Sequence, residues 1–404
     1  LPHNIARPIH CRFGAGSHSK PAASDAIVVD HRKRAKAMLR VGIISANWGA
    51  FAHLPAWRAV PGIEVTAICT SRRETAEAAA ARCGIQRAFW DAEAMIADPD
   101  IDIIDCGTRP SIRHPMILSA LAKGKHVYNA IPFAADLDRA RALHRAWKAS
   151  GATAIVDAYS QWLPAHAQAK RMIDEGFLGQ PFGGTCIFNL GLFNLPTPQF
   201  PYNWFAEGGH GVSAMRNLGS HALHMLVFLF GEIEEVIADD RRLLDAWRFP
   251  DGSVIEPQTN DFVNMLIRFA SGMVMQLQVS WSATVGRGWH LDAFGSGGRL
   301  VLAAPSFPTS VDTTLHAGAL GAKGVEPVEI APELMHPPEI GVGPDVFPPA
   351  AHGMAISMHN MVRAIRGEAV AAPDFGQAWT VERVLEAARR SSQARRWVKL
   401  DEIG

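Results

Sequence analysis

The sequence predicts an α/β protein in two parts: a doubly wound parallel sheet, then an α+β half built on a large, mostly antiparallel sheet. Two observations carry this. From residue 39 to about 158, short apolar runs alternate with helical patterns, the rhythm of parallel strands joined by crossover helices. From about 180 onward the strands lengthen and alternate apolar with polar residues, as in an antiparallel sheet with one covered face. At 404 residues and 48% hydrophobic content the chain can bury a core for each half.

Residues 1–37 differ from both halves, being rich in Pro, His, Ser, Arg and Lys, without period and without the apolar core of a secretion signal. They read as a disordered or non-native leader ahead of Met38, or else as a functional arm. The first strand, Val41-Gly42-Ile43-Ile44, is β-branched and suits the centre of a sheet covered on both faces. It breaks into Ser45-Ala46-Asn47-Trp48-Gly49-Ala50 and an amphipathic helix, the place where a doubly wound fold holds a dinucleotide. Ser45, Asn47 and Ala50 occupy the three positions of a G-x-G-x-x-G turn. Ser and Ala are small and Asn tolerates left-handed backbone, so the turn stays buildable. An ordinary strand-loop-helix connection would look alike on this segment alone.

The second strand, 64–69, ends in Thr70-Ser71-Arg72-Arg73. A fold that binds NAD places an acid there for the ribose 2′-hydroxyl. This corner instead offers a hydroxyl and two guanidiniums, which suit a 2′-phosphate, so the expected cofactor is NADP(H) in preference to NAD(H). Helices over 73–83 and 91–97, a strand at 102–107, a helix over 112–123 closed by Gly124, a strand at 126–128, a helix over 137–150 and a strand at 154–156 complete the alternation. A helix over 164–175, stopped by Gly176, leads out of it. Longer strands follow at 183–191, 233–241, 260–269, 273–283, 290–295 and 299–302. The helix over 215–229 among them is apolar on more than one face and must be buried. Residues 303–351, rich in Pro and Gly, read as loop, and helices over 353–366 and 374–392 close the chain. No internal repeat occurs.

Charge is balanced, with 39 basic and 39 acidic residues, so nothing suggests a nucleic-acid footprint. The five cysteines are unclustered, which argues against a disulfide framework and a zinc site and fits a reducing cytoplasm. No metal site is expected. The densest apolar stretch, 225–230, is too short to cross a bilayer.

The series VGIIxxxWxxxxHLPA, the turn at Thr108, GKHV before a proline-containing loop, Leu178-Gly179, LGSH on a buried helix and a closing EAARRSS helix resembles the Gfo/Idh/MocA oxidoreductases over about 39–400. The resemblance implies a Rossmann domain over 38–158 and a C-terminal domain over 159–404 whose open sheet covers the nicotinamide site and mediates homo-oligomers. It further implies cofactor contacts from residues Ser45, Ala46, Asn47, Trp48, Gly49 and Ala50, from Ser71, Arg72 and Arg73, and from Gly107, Thr108, Pro110, His114, Asn129, Ile131 and Pro132.

The chain also departs from the family. Where members carry Glu-Lys-Pro after GKHV, with the lysine reaching ribose and substrate, this chain reads Ala130-Ile131-Pro132. Where members place an Asp four residues before a His, it has Asn217 and His221. The two share a helical face. His221 can move a proton because imidazole titrates near neutrality, whereas Asn217 can only orient. Members acting on cyclic hemiacetals in aromatic breakdown likewise carry Ile-Pro. Tyr159 is a second proton donor, and His224 orients His221 or packs. Plain packing is the other reading of His221 and Tyr159. Arg109, Arg216, Trp162 and Trp204 are substrate-binding candidates, the arginines as carboxylate clamps or as surface residues. The aromatic loop 192–204 favours an apolar or ring-shaped ligand. Together these predict an NAD(P)-dependent dehydrogenase acting on a secondary alcohol or hemiacetal of a small cyclic molecule. The alternatives are a dinucleotide-binding regulator that lost catalysis and a glycosidase-like use of tightly held NAD.

Overall fold

Six short parallel strands form the first sheet: β1 (Leu39–Ile44), β2 (Ile63–Cys69), β3 (Arg87–Phe89), β4 (Ile103–Cys106), β5 (His126–Asn129) and β6 (Ala154–Val156), in the order β3-β2-β1-β4-β5-β6. The computed structural model describes residues 38–194 and 202–404, apart from the side chain of Tyr202. The leader 1–37 and Phe200 in the aromatic loop lie outside the described residues. Helices α1 (Leu54–Arg58), α2 (Arg73–Cys83), α3 (Ala92–Ala97), α4 (Pro110–Ala122) and α5 (Leu137–Ser150) connect the strands. Because side chains alternate along a strand, Val41, Ile43, Tyr128 and Ile155 point into one layer with α1, while Ile44, Ile104, Val127 and Val156 point into the other with α3, α4 and α5. The connections diverge between β1 and β4, the switch point at which such sheets bind ligands.

The second half opens with α6 (Pro164–Asp174), β7 (Pro181–Asn189), α7 (Ser220–Phe230) and β8 (Ile233–Arg241). A small hairpin, β9 (Trp247–Arg248) and β10 (Val254–Ile255), precedes β11 (Phe262–Phe269), β12 (Val274–Ser280), β13 (Gly288–Gly295), β14 (Gly298–Ala304), β15 (Thr314–Ala319) and β16 (Glu326–Pro327). Helices α8 (Pro332–Met335), α9 (Ala350–Ile365) and α10 (Phe375–Ala394) lead to β17 (Val398–Lys399). The nine-stranded sheet runs β16-β15-β14-β13-β7-β12-β11-β8-β17 and is antiparallel except for β7 against β12. One face buries Cys186, Phe188, Val263, Met265, Leu277 and Leu291 against α7 and α10. The serines of the closing motif tie that helix to β8, where the two-residue β17 leaves strand amides free: Ala238 N donates to Ser391 Oγ and Asp240 N to Ser392 Oγ, each at 3.0 Å.

Several expectations need correction. Residues 303–351 are not all loop, since β15 pairs with β14 and α8 follows; the Gly and Pro signals mark the flanks of a short strand with few β-branched residues. The edge strand β3 escaped the pattern because its three residues are all half-buried. The helix after the first turn is only five residues long and is entered through a π-helical turn, Gly49–His53. A second π-helical turn, Met215–Gly219, precedes α7. Among the described non-glycine residues only Arg395 has positive φ, so Asn47 does not use the left-handed freedom expected of it.

The C-terminal helices return to the first sheet. Met354, Ala355, Met358, Met361 and Val362 of α9 share a core with Val41, Ile43 and Tyr128. Phe375 and Ala378 of α10 join the opposite layer.

Candidate active site

The first turn is built by two glycines. A Cβ on Gly49 would lie 2.7 Å from Ile43 Cγ2, and one on Gly107 would lie 3.3 Å from Gly49 N, so the turns after β1 and β4 touch backbone to backbone. The closest packing thus falls to Gly49, one residue before the third fingerprint position at Ala50. The Gly49 N–H donates to Ser45 Oγ at 3.3 Å. Ser45, Ala46, Trp48 and Ala50 are half-buried and Asn47 is exposed, an open rim above a tight floor.

At the end of β2 the side chains of Ser71, Arg72 and Arg73 are exposed. Arg73 bonds Glu77 at 2.8 Å and lies over Trp90, while the Arg72 guanidinium has no hydrogen bond to a described residue. Arg82 Nη2 donates to Ala46 O at 3.3 Å, joining this corner to the first turn.

The turns after β4 and β5 share a brace the sequence reading missed. Arg113, fully buried in α4, donates to Thr108 O and Ala130 O, each at 2.6 Å. Burial brings its pKa down to about 10, still charged at neutrality. Asn129 is fully buried at the end of β5; its Nδ2 donates to Phe133 O at 3.0 Å and its Oδ1 has no partner. Ile131 and His114 are half-buried, Pro110 and Pro132 buried. A dinucleotide fits these turns: the floor around Gly49 and Gly107 leaves no room for a Cβ, and Asn129 Oδ1 awaits a donor.

Past β6 the chain forms a 3-10 turn, Tyr159–Trp162. Tyr159, His221 and Phe307 meet with ring centroids 6.4, 5.0 and 6.2 Å apart. Gly353 lets α9 seat on this turn, since a Cβ there would lie 2.8 Å from the Tyr159 ring. Burial and then Asp157 push the Tyr159 hydroxyl well above its ordinary range, so it is a donor at any working pH. His221 Nδ1 is buried without a partner. Burial pulls the ring down to about 4 against the opposing charge of Asp157, so His221 is neutral at pH 7 rather than half-titrated as its type suggests. Asn217 lies in the π-helical turn one turn before it, half-buried.

The structure spends other candidates on scaffolding. Arg216 donates to Glu382 at 2.8 Å, to Ala134 O at 2.7 Å and to Gly211 O at 2.9 Å. Trp162 Nε1 donates to Ala372 O at 3.1 Å. His224 Nδ1 accepts from Gln377 at 3.1 Å, and burial with the neighbouring His221 pushes the ring down to about 3. Arg109 is exposed and lies over Trp204, its centre 5.4 Å from the ring centroid, and contacts His210 at 3.5 Å. His210, held by Ser111 at 2.8 Å, was not singled out in the sequence.

Residues 39–158 match a family model described as an oxidoreductase family with an NAD-binding Rossmann fold, and residues 166–301 match the GFO/IDH/MocA C-terminal domain. The scyllo-inositol 2-dehydrogenase (NAD(+)) of Bacillus subtilis is 30% identical over 244 residues, 60% of this chain and 67% of that protein. Levoglucosan dehydrogenase of Pseudarthrobacter phenanthrenivorans is 25% identical over 90% of this chain and 99% of its own length. The match to D-apiose dehydrogenase of Paraburkholderia graminis, 30% identical, spans 52% of this chain and about half, 53%, of that protein. An NAD binding oxidoreductase from Klebsiella pneumoniae has the same fold, with a TM-score of 0.80 at 26% identity over 90% of this chain and 99% of the other. With both halves matched in order, the chain belongs to the Gfo/Idh/MocA family and is an NAD-binding oxidoreductase.

Proposed function

We propose that the protein is a dehydrogenase that interconverts a secondary alcohol or hemiacetal with a carbonyl on a small cyclic substrate: a sugar, a cyclitol, or a dihydrodiol or hemiacetal of aromatic catabolism. The observation that carries this reading is the meeting of His221 and Tyr159 beneath Phe307, beside the turns that fit a dinucleotide. Relatives named for levoglucosan, apiose and inositol support a ring-shaped polyol.

When bound, the nicotinamide supplies the hydride acceptor. In the oxidation direction His221 Nε2 takes the hydroxyl proton, Tyr159 donates its O–H to the substrate oxygen and Asn217 orients the hydroxyl. Ile131 provides no cation for an alkoxide, which favours a more acidic hydroxyl such as that of a hemiacetal. Arg109 and Trp204 contact the substrate rim, while Arg216, Trp162 and His224 hold its walls. Purified protein followed at the reduced-nicotinamide absorbance over sugars, cyclitols, dihydrodiols and hydroxy-semialdehydes should turn over at least one class. Tight cofactor binding without turnover would favour the regulator.

The acid-free corner at Arg72 supports NADP(H) over NAD(H). NADP(H) should bind more tightly, and Arg72→Ala should erase most of the difference. Tighter NADH binding by the unmodified chain would sink this preference.

Assembly falls to residues 159–404. The face of the large sheet turned away from α7 carries Asn264, Leu266, Gln276, Gln278, Asp292, Phe294 and Arg299, with Leu266 and Phe294 40% and 46% exposed. Copies are proposed to pair through this face. Light scattering should give a multiple of 43.8 kDa for the full chain and the monomer mass for Leu266→Asp/Phe294→Asp; a monomeric unmodified chain would end the idea.

A further inference from the structure

Asp157 follows β6 two residues before Tyr159 and collects three contacts on its two oxygens. Oδ2 accepts from Trp48 Nε1 at 3.0 Å and faces His53 Nε2 at 3.1 Å, while Oδ1 accepts from the Tyr128 hydroxyl at 3.1 Å. The other ring nitrogen of His53 faces Asp105 at 2.8 and 3.0 Å, and Asp105 also accepts from Trp57 Nε1 at 2.7 Å. His53 and Asp105 are fully buried and Asp157 nearly so. An ionised carboxylate can only accept. Both nitrogens of His53 therefore donate only if both carry protons. Burial opposes that charge, but Asp105 and Asp157 outweigh it and hold the ring at about 10.

We propose that Asp157, charge-balanced by a permanently protonated His53, is a positioning residue of the reacting site that acts through His221 and Tyr159. This deepens the reading of His221 as acid/base and rests on it. The carboxylate joins the segments that must stay in register for the reaction: the first turn through Trp48, the sheet through Tyr128, the π-helical turn ahead of α1 through His53 and the reacting turn through its own backbone. It stands two residues before Tyr159, whose ring meets that of His221 at 6.4 Å between centroids, so its charge lies close enough to bear on both. A fixed negative charge here favours a proton on His221 and opposes a bare alkoxide. With Ile131 supplying no cation, proton transfer is thereby tied to the imidazole.

The groups around this axis are defined. Asp105 from β4, Tyr128 from β5 and Asp157 face His53, Trp48 and Trp57 flank it from its own segment, and α9 covers the layer with Met354 and Met358. Arg113 is the further charge that acts on Asp157. Around His221 lie Tyr159, Phe307, His224 and Asp157.

The test is an imidazole 15N and 1H titration of the histidine-labelled full chain, assigned with His53→Gln and His221→Ala. In the unmodified chain His53 should keep both ring protons from pH 5.5 to about 9. His53→Gln, which leaves Asp157 unscreened, should raise the His221 midpoint by about one pH unit. Should that variant fail to fold, Asp157→Asn is read in the opposite sense: its His221 stays neutral where the ring of the unmodified chain has begun to take a proton. His53 titrating near 6.5 overturns the proposal whatever the variants do, as does an unmoved His221 midpoint in a folded variant. Failure of the function reading is separable, because unchanged turnover in His221→Ala would remove the acid/base role and leave these titrations standing.

Discussion

His221→Ala should lower turnover by about 10²- to 10⁴-fold, the usual contribution of a positioned acid/base group, with cofactor affinity nearly unchanged. The ring touches Tyr159 and Phe307 rather than the first turn, so its loss empties the reacting end and leaves the dinucleotide turns intact. Both kcat and kcat/KM should fall together, as expected for an interaction made in the transition state. The unmodified enzyme should also have a flat oxidation rate across neutral pH that declines only toward pH 4, because burial keeps the free imidazole neutral until then. Steady-state rates with the best substrate of the screen, and a Kd for NADP(H) from fluorescence, check both halves. Unchanged rates would move the proton to Tyr159 and remove His221 from the mechanism.

Asp105→Ala should cost about 3–5 kcal/mol of stability, the range for breaking a buried ion pair by removing one partner. Two buried donors, His53 Nδ1 and Trp57 Nε1, would lose their acceptor at once. The pH dependence follows from the direction of each shift. His53 holds its proton more tightly folded, at about 10, than unfolded, at 6.5; its contribution is full below pH 6.5 and is lost as pH rises through about 10. His126, His166 and His221, held near 4, act oppositely, stabilising above pH 6.5 and losing that contribution as pH falls through 4. Taken over these groups, stability should peak near pH 6.5 and fall on both sides. Urea midpoints at pH 5, 6.5 and 9 should trace that curve, and the alkaline slope should flatten in Asp105→Ala. An unmodified chain equally stable at pH 6.5 and 9 would contradict a charged His53.

The elements that repeat a period were legible in the sequence, and the elements that depend on distant partners were not. Val41 to Ile44 and the alternating strands of the second half announce themselves by their pattern. The axis at His53 does not, because Asp105 and Asp157 close apolar runs and read as strand ends. They meet only after β4 and β6 are set on either side of β5, which no local window contains. His53 was visible only as a letter of HLPA, and Arg113 as one polar residue on a helix. The π-helical turns have no compositional mark, yet the first ends on His53 and the second lies just before His221, so they fix where both rings lie. Candidates chosen for chemistry alone fared unevenly for the same reason: nothing near Arg216 in the sequence announces Glu382, 166 residues away.

The return of α9 to the first sheet bears on the order in which the protein is made. During synthesis β1 to β6 leave the ribosome with one flank lacking Met354, Met358, Met361 and Val362. The nucleotide-binding half therefore cannot finish its core as a nascent domain. It waits, partly open, until residues up to Ala378 have emerged, because α9 closes one layer and Phe375 and Ala378 of α10 close the other.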